Sequence, residues 1–249
     1  MSGFACVLIN EGTTASALTA QVTQAWLTRC ATACAMQLVR DVAPYWGRAV
    51  AAVRAGSGPT SIQPGEFVFA LVDSLPDAPG AIAYHDVNGA AVPVAYLALS
   101  TCSTLDDVST GISHELCETL GDEACNRWCD DNAGSEWALE LCDAVESNSY
   151  PIDLSDGQPP LMVSDFLLPA FFSSAAAPPY NFMAVGGNPV VPTPAIHNPL
   201  GPFQVAPGGY EIKRVSGSGT AQVTGMIRAM RVAKQRHWSA RVFRRGARV

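Results

Sequence analysis

His114-Glu115-Leu116-Cys117-Glu118 decides how this chain is expected to fold and what it is expected to bind. Apolar side chains at Val108, Ile112, Leu116 and Leu120 recur at helical spacing through it. Asp106 or Asp107 supplies an acidic start, so the spacing predicts a helix ending at Gly121. On that helix His114 and Glu118 share one face, about 6 Å apart along the axis. An imidazole and a carboxylate so placed can grip one divalent cation. Glu115 lies roughly 100° round the axis, beside the cation, where a general base for a metal-bound water would stand.

Outward from this helix, the chain divides by charge and composition. It has 249 residues, 48% of them hydrophobic, enough to bury a substantial core. All 22 acids and five of the 15 Lys and Arg residues precede residue 213, so residues 1–212 carry −17. Residues 213–249 carry ten cations and no acid. Twelve of the 18 prolines lie in residues 151–207, which excludes long helices there. Three parts follow: an α/β domain over 1–150, a Pro- and Gly-rich arm over 151–212 packed on the body or a neighbour, and a basic tail over 213–249. The segment Met1–Asn10 has no basic start of a secretory signal, and no apolar run reaches 18 residues, so no membrane span is expected.

Within the first part, Phe4–Ile9, Phe67–Val72, Ile82–Tyr84 and Pro93–Leu99 read as strands. A helix is expected from Thr13 or Thr14 to about Arg40, closed by Pro44, Trp46 and Gly47, and a short one over Ser135–Cys142. Asp77–Gly80 and Asn88-Gly89 read as turns.

Ten carboxylates crowd residues 115–146 with Arg127 as their sole cation, a repulsion that a bound ion or solvent exposure must relieve. The spacing of His114 and Glu118 is that of the zinc-peptidase signature HExxH with its second histidine replaced by glutamate. A catalytic zinc takes three protein ligands and an open position. Glu140, 22 residues past Glu118, ranks first as the third ligand, with Asp143 orienting His114. Asp122 ranks second, because an unbroken helix sets it about 12 Å from His114. A carboxylate in place of an imidazole weakens the metal as a Lewis acid. It also makes the site harder, so zinc competes there with calcium, magnesium or manganese.

The segments Ser113-His-Glu-Leu-Cys-Glu-Thr-Leu-Gly-Asp122, Leu139-Glu-Leu-Cys-Asp-Ala-Val-Glu146 and Val163-Ser-Asp-Phe-Leu-Leu-Pro-Ala-Phe-Phe172 together resemble a family of phage- and prophage-encoded proteins with a zincin-like core. Gly80-Ala-Ile-Ala-Tyr-His-Asp86 and Pro207-Gly-Gly-Tyr210 are similar to its other recurring segments. The resemblance covers most of residues 1–212 and implies a zincin-like α/β (α+β) domain with a small mixed sheet in a virion-associated protein. Gly121 stands where the longer pattern HExxHxxGxxH has its glycine, but residue 124 is alanine, so that ligand set is incomplete.

Other side chains carry weaker signals. His85 would line a cleft if peptide lies along an edge strand near the helix, as in zincins; alternatively it is hydrogen-bonded between Tyr84 and Asp86. The eight cysteines read as reduced thiols, with a late disulfide or a soft-metal set among Cys117, Cys125, Cys129 and Cys142 as sharper alternatives. Tyr150 or Tyr180 would serve an active enzyme as an oxyanion donor. Trp238 and Phe243 among the tail's cations match a nonspecific nucleic-acid binder. Val223, Ile227, Met230 and Val232 favour docking on protein instead.

The function expected is therefore a structural or accessory virion protein whose arm and tail make contacts with other virion proteins or further copies of itself. The alternative is a metal-dependent peptidase with Glu115 as base and His114, Glu118 and Glu140 holding the metal.

Overall fold

The computed structural model describes residues 3–88, 92–186, 198–215 and 219–225, which form an α+β fold. The principal sheet contains β1 (Phe4–Asn10), β2 (Val50–Ala55), β3 (Phe67–Val72), β4 (Ala83–Val87) and β5 (Pro93–Ala98), in the order β2-β1-β3-β5-β4. The first four in that order run parallel, and β4 returns antiparallel along β5 as an edge strand. Parallel neighbours require a crossover, and α1 (Gln24–Met36) provides the one from β1 to β2. Alternation along β1 sends Cys6 and Leu8 into the main core with Leu27, Ile112 and Leu116. Val7 and Ile9 pack with Ala70 on the opposite face.

The first helix starts later than its periodicity predicts. Thr13 and Thr14 both donate their backbone N–H groups to Asp73 Oδ1 at 2.9 Å, and this local capture replaces helix initiation. Thr23 is the cap, its hydroxyl accepting from the Trp26 amide. Beyond Met36 the helix widens over Gln37–Val42 and resumes as α2 (Ala43–Trp46). It closes at Gly47, whose φ of 65° suits a residue without a Cβ.

The decisive helix, α3 (Leu105–Gly121), is capped by Thr104 and Asp107. The Thr104 hydroxyl accepts from the Asp107 amide at 3.1 Å, while Asp107 Oδ2 accepts from the Thr104 amide at 3.0 Å. Val108, Ile112, Leu116 and Leu120 are fully buried. At about 1.5–3 kcal/mol for each buried aliphatic side chain, this stripe holds the helix on the sheet.

Two smaller sheets follow, built from β6 (Trp128–Asp130), β7 (Ser135–Ala138), β8 (Ser149–Ile152), β9 (Leu161–Ser164), β10 (Tyr210–Val215) and β11 (Gly219–Thr224). One has the order β11-β10-β7-β6, and the other is the β8–β9 hairpin. The short helix expected over Ser135–Cys142 is thus a strand followed by irregular chain. Trp137 pairs with Cys129 on one side and Lys213 on the other, and this two-sided pairing overrides a weak local pattern.

The expected division at 150/151 falls inside β8, and that at 212/213 inside β10. Phe166, Phe171 and Phe182 of the proline-rich stretch are buried, and β9 packs against α3. Two cations of the basic segment are engaged within the chain. Lys213 lies over Trp137, while Arg214 lies over Trp128 and pairs with Glu136 at 2.7 and 3.0 Å. Residues 226–249, with Ile227, Met230, Val232, Trp238, Phe243 and the remaining tail cations, lie outside the described residues, as does Gly89. No helix among the described residues is long and apolar enough to cross a membrane.

Candidate metal centre

The polar side of α3 faces β4 and the segment that leaves β7. His114 is 9% exposed, Glu115 2% and Glu118 3%, so all three ionisable groups sit inside the protein. His114 Nε2 lies 3.2 Å from Glu118 Oε1 across one helical turn. After β7 the chain returns along α3, and the Cys142 amide donates to Glu118 Oε1 at 3.3 Å. That approach is close because Gly121 has no side chain: a Cβ there would overlap Leu141. The return carries Glu140 and Asp143 into the same interior.

Three ligand atoms converge at His114, Glu118 and Asp143, all within 4.8 Å of one another. Asp143 Oδ1 is 3.1 Å from His114 Nε2. A second such group consists of His85, Glu115 and Glu118. His85 Nδ1, on the edge strand, lies 3.0 Å from Glu115 Oε2 and 3.4 Å from Glu118 Oε2. Bonds of about 2.1 Å in a tetrahedral site separate neighbouring ligand atoms by about 3.4 Å. The observed separations match that span, and they also match hydrogen bonds, so a proton and a cation would compete for the same positions.

Glu140, 1% exposed, belongs to neither group; its Oε2 is 3.9 Å from His85 Nε2. Asp122 belongs to neither as well. The chain does turn there, but Asp122 Oδ2 accepts from the Arg127 amide at 2.8 Å. The converging groups thus contain Asp143 and His85, while Glu140 and Asp122, ranked as third ligands from spacing, lie outside them. Asp143, expected from its spacing to orient His114, is within hydrogen-bond reach of that ring. His85, expected either to line a cleft from an edge strand or to be hydrogen-bonded between its neighbours, does lie on the edge strand β4, but no local motif marked it as a companion of Glu115 and Glu118.

The electrostatics show an excess of negative charge. Burial works against a charged His114, but the Glu118 charge and the hydrogen bond to Asp143 outweigh it, holding the ring well above its usual range. Burial likewise opposes a charged His85, and the Cys125 sulfur with Glu115 and Glu118 overcomes it. Burial would lift Glu118, yet the two imidazoles hold it well below the usual carboxylate range. Asp143 moves the other way, pushed well up by burial and by the Glu118 charge. Glu211, fully buried on β10, is also pushed well up by burial and by Asp143, and its Oε2 makes no hydrogen bond. Glu115, Glu118, Glu140 and Asp143 thus lie within 4 Å of one or other imidazole, and Glu211 adds a fifth buried carboxyl beside Asp143.

Neither expected tyrosine faces this cluster: the Tyr150 hydroxyl donates to Asp41 and that of Tyr180 to the Ala176 carbonyl. Tyr210, hydrogen-bonded to Asp143, is the tyrosine that joins it. The eight cysteines are unlinked, and Cys117 is hydrogen-bonded to Cys142 beside the site. Compared with protein-family models, curated proteins and solved structures, the chain matches none.

Proposed function

We propose that this chain is a metal-binding structural or accessory protein of a phage particle, built on a zincin-like scaffold. His114 Nε2, Glu118 Oε1 and Asp143 Oδ1 hold one divalent cation. The observation that carries the metal is the convergence of three buried ligand atoms, Nε2 lying 3.2 and 3.1 Å from the two carboxylate oxygens. The scaffold reading draws support from β4, an antiparallel edge strand beside α3, where the resemblance expects a zincin's peptide to lie. The particle rests on the resemblance alone.

Two features favour a structural ion over a hydrolytic one. Two carboxylates and one imidazole leave the metal a weak Lewis acid, with bound water above the pKa of about 7 found in good zinc hydrolases. Glu115, the candidate base, is held by His85 at 3.0 Å. The donor set accepts zinc, and its hardness equally suits manganese, magnesium or calcium.

Elemental analysis of purified protein, followed by titration of Zn²⁺, Mn²⁺ and Ca²⁺ into chelator-stripped chain, tests the metal. The expected result is tight retention of at least one of these ions, lost in both His114→Ala and Glu118→Gln. Retention of none would overturn it. For assembly, truncation after Gly225 keeps the β10–β11 hairpin and removes the basic residues beyond it. Failure of that truncated chain to enter particles is expected, and normal incorporation refutes a role for those residues. The second reading, a peptidase, is favoured by Glu115 standing beside ligand Glu118 in a common group. Peptide cleavage by the metal-loaded chain, abolished in Glu115→Gln, would establish it.

A further inference from the structure

We infer a second cation site beside the first, so that the centre is dinuclear and Glu118 is its bridge; this rests on the metal reading above. The two oxygens of Glu118 address different imidazoles. Oε1 lies 3.2 Å from His114 Nε2, and Oε2 lies 3.4 Å from His85 Nδ1. Beyond Oε2, Glu115 Oε2 stands 3.0 Å from the same His85 nitrogen and completes a trio of ligand atoms within 4.8 Å. Paired-metal centres hold their ions about 3.5–4 Å apart, a span that one carboxylate bridges with both oxygens.

His85 makes this more than a cluster of acids. It arrives from β4, on an element separate from α3, with its side chain only 4% exposed. The ring turns Nδ1 towards both carboxylates, and its buried Nε2 makes no hydrogen bond. A metal on Nδ1 leaves the ring proton on Nε2, and the carboxylate oxygen Glu140 Oε2 lies 3.9 Å from that nitrogen. Glu140 then orients a ligand histidine, and Asp143 serves the first ion directly.

Charge supports the same count. Against the four carboxylates Glu115, Glu118, Glu140 and Asp143, one divalent ion leaves two negative charges, whereas two ions offset all four. The second site offers one imidazole and two carboxylates, a donor set for Mn²⁺, Co²⁺ or Zn²⁺.

The probe is Mn²⁺ added to the chelator-stripped full-length chain, with stoichiometry from equilibrium dialysis and coupling from electron paramagnetic resonance. Two ions per chain are expected, with the hyperfine pattern of an isolated ion replaced by that of an exchange-coupled pair. His85→Gln is expected to bind one ion and restore the isolated pattern. The wild-type spectrum carries the test even where that variant misfolds. One uncoupled ion, unchanged by His85→Gln, sinks the second site and leaves the first standing. Two uncoupled ions also sink the bridge. No retained Mn²⁺ sinks the paired site, while the first site falls only if Zn²⁺ and Ca²⁺ are not retained either.

Discussion

Two buried acidic regions of this molecule meet their charge in opposite ways. Asp165, with no exposed surface, accepts four hydrogen bonds from neutral groups. The Phe166 and Met183 amides donate to Oδ1 at 2.9 and 3.0 Å. The Asn181 and Asn148 side chains donate to Oδ2 at 2.6 and 3.3 Å. Around α3, Glu115, Glu118 and Asp143 lie instead against the imidazoles of His85 and His114, partners that can release a proton. The first arrangement is self-contained and ties the proline-rich stretch to the body. The second brings together groups that could hold either a proton or a cation between them.

The sharpest way to break this contrast is Asp165→Ala, which strands four donors. At about 1 kcal/mol for each, unfolding in denaturant should show a loss of about 4 kcal/mol, unchanged by chelator. A loss that depended on metal would erase the distinction between the two regions.

Next in size is a pH effect. Burial pushes the Asp165 carboxyl up to about 6 despite its four donors. Between pH 4 and 6 the folded chain keeps a proton that the unfolded chain has released, so this group's contribution to stability falls as pH rises. Asp165→Asn does not titrate, so the stability of wild type relative to that variant should drop by about 2 kcal/mol from pH 4 to pH 7. A flat difference across that range would contradict the assignment.

Metal should act on the other region alone. At free ion a hundredfold above its dissociation constant, stabilisation of about 2.7 kcal/mol is expected in thermal unfolding, absent in Glu118→Gln and preserved in Asp165→Asn. The smallest effect belongs to neither region. Arg29 pairs with Asp156 at the surface, at 2.6 Å, and Arg29→Ala should cost at most about 1 kcal/mol, diminishing in high salt.

Much of the ligand geometry on α3 was legible beforehand, because a helical turn is encoded within a few residues. The apolar spacing of Val108, Ile112, Leu116 and Leu120 implied the helix, and His114 and Glu118 followed on its other side. Strands β1, β3 and β5 were legible as apolar runs. The Ala-rich β2 carries little strand character of its own, and β7 differs from the helix its local pattern predicts because it pairs with β6 and the distant β10. Asp165 attracted no attention as a charge, since its donors come from residues 148, 166, 181 and 183.

By itself the sequence determined that an imidazole and a carboxylate would share one face of a capped, amphipathic helix, since periodicity and capping act over single turns. Only the tertiary structure decided which acids and which second imidazole would meet them. His85 and Asp143 lie about thirty residues away on either side, separations of 30 from Glu115 and 29 from His114. Convergence over such distances depends on sheet order and on close packing at Gly121, and neither is written in any local pattern.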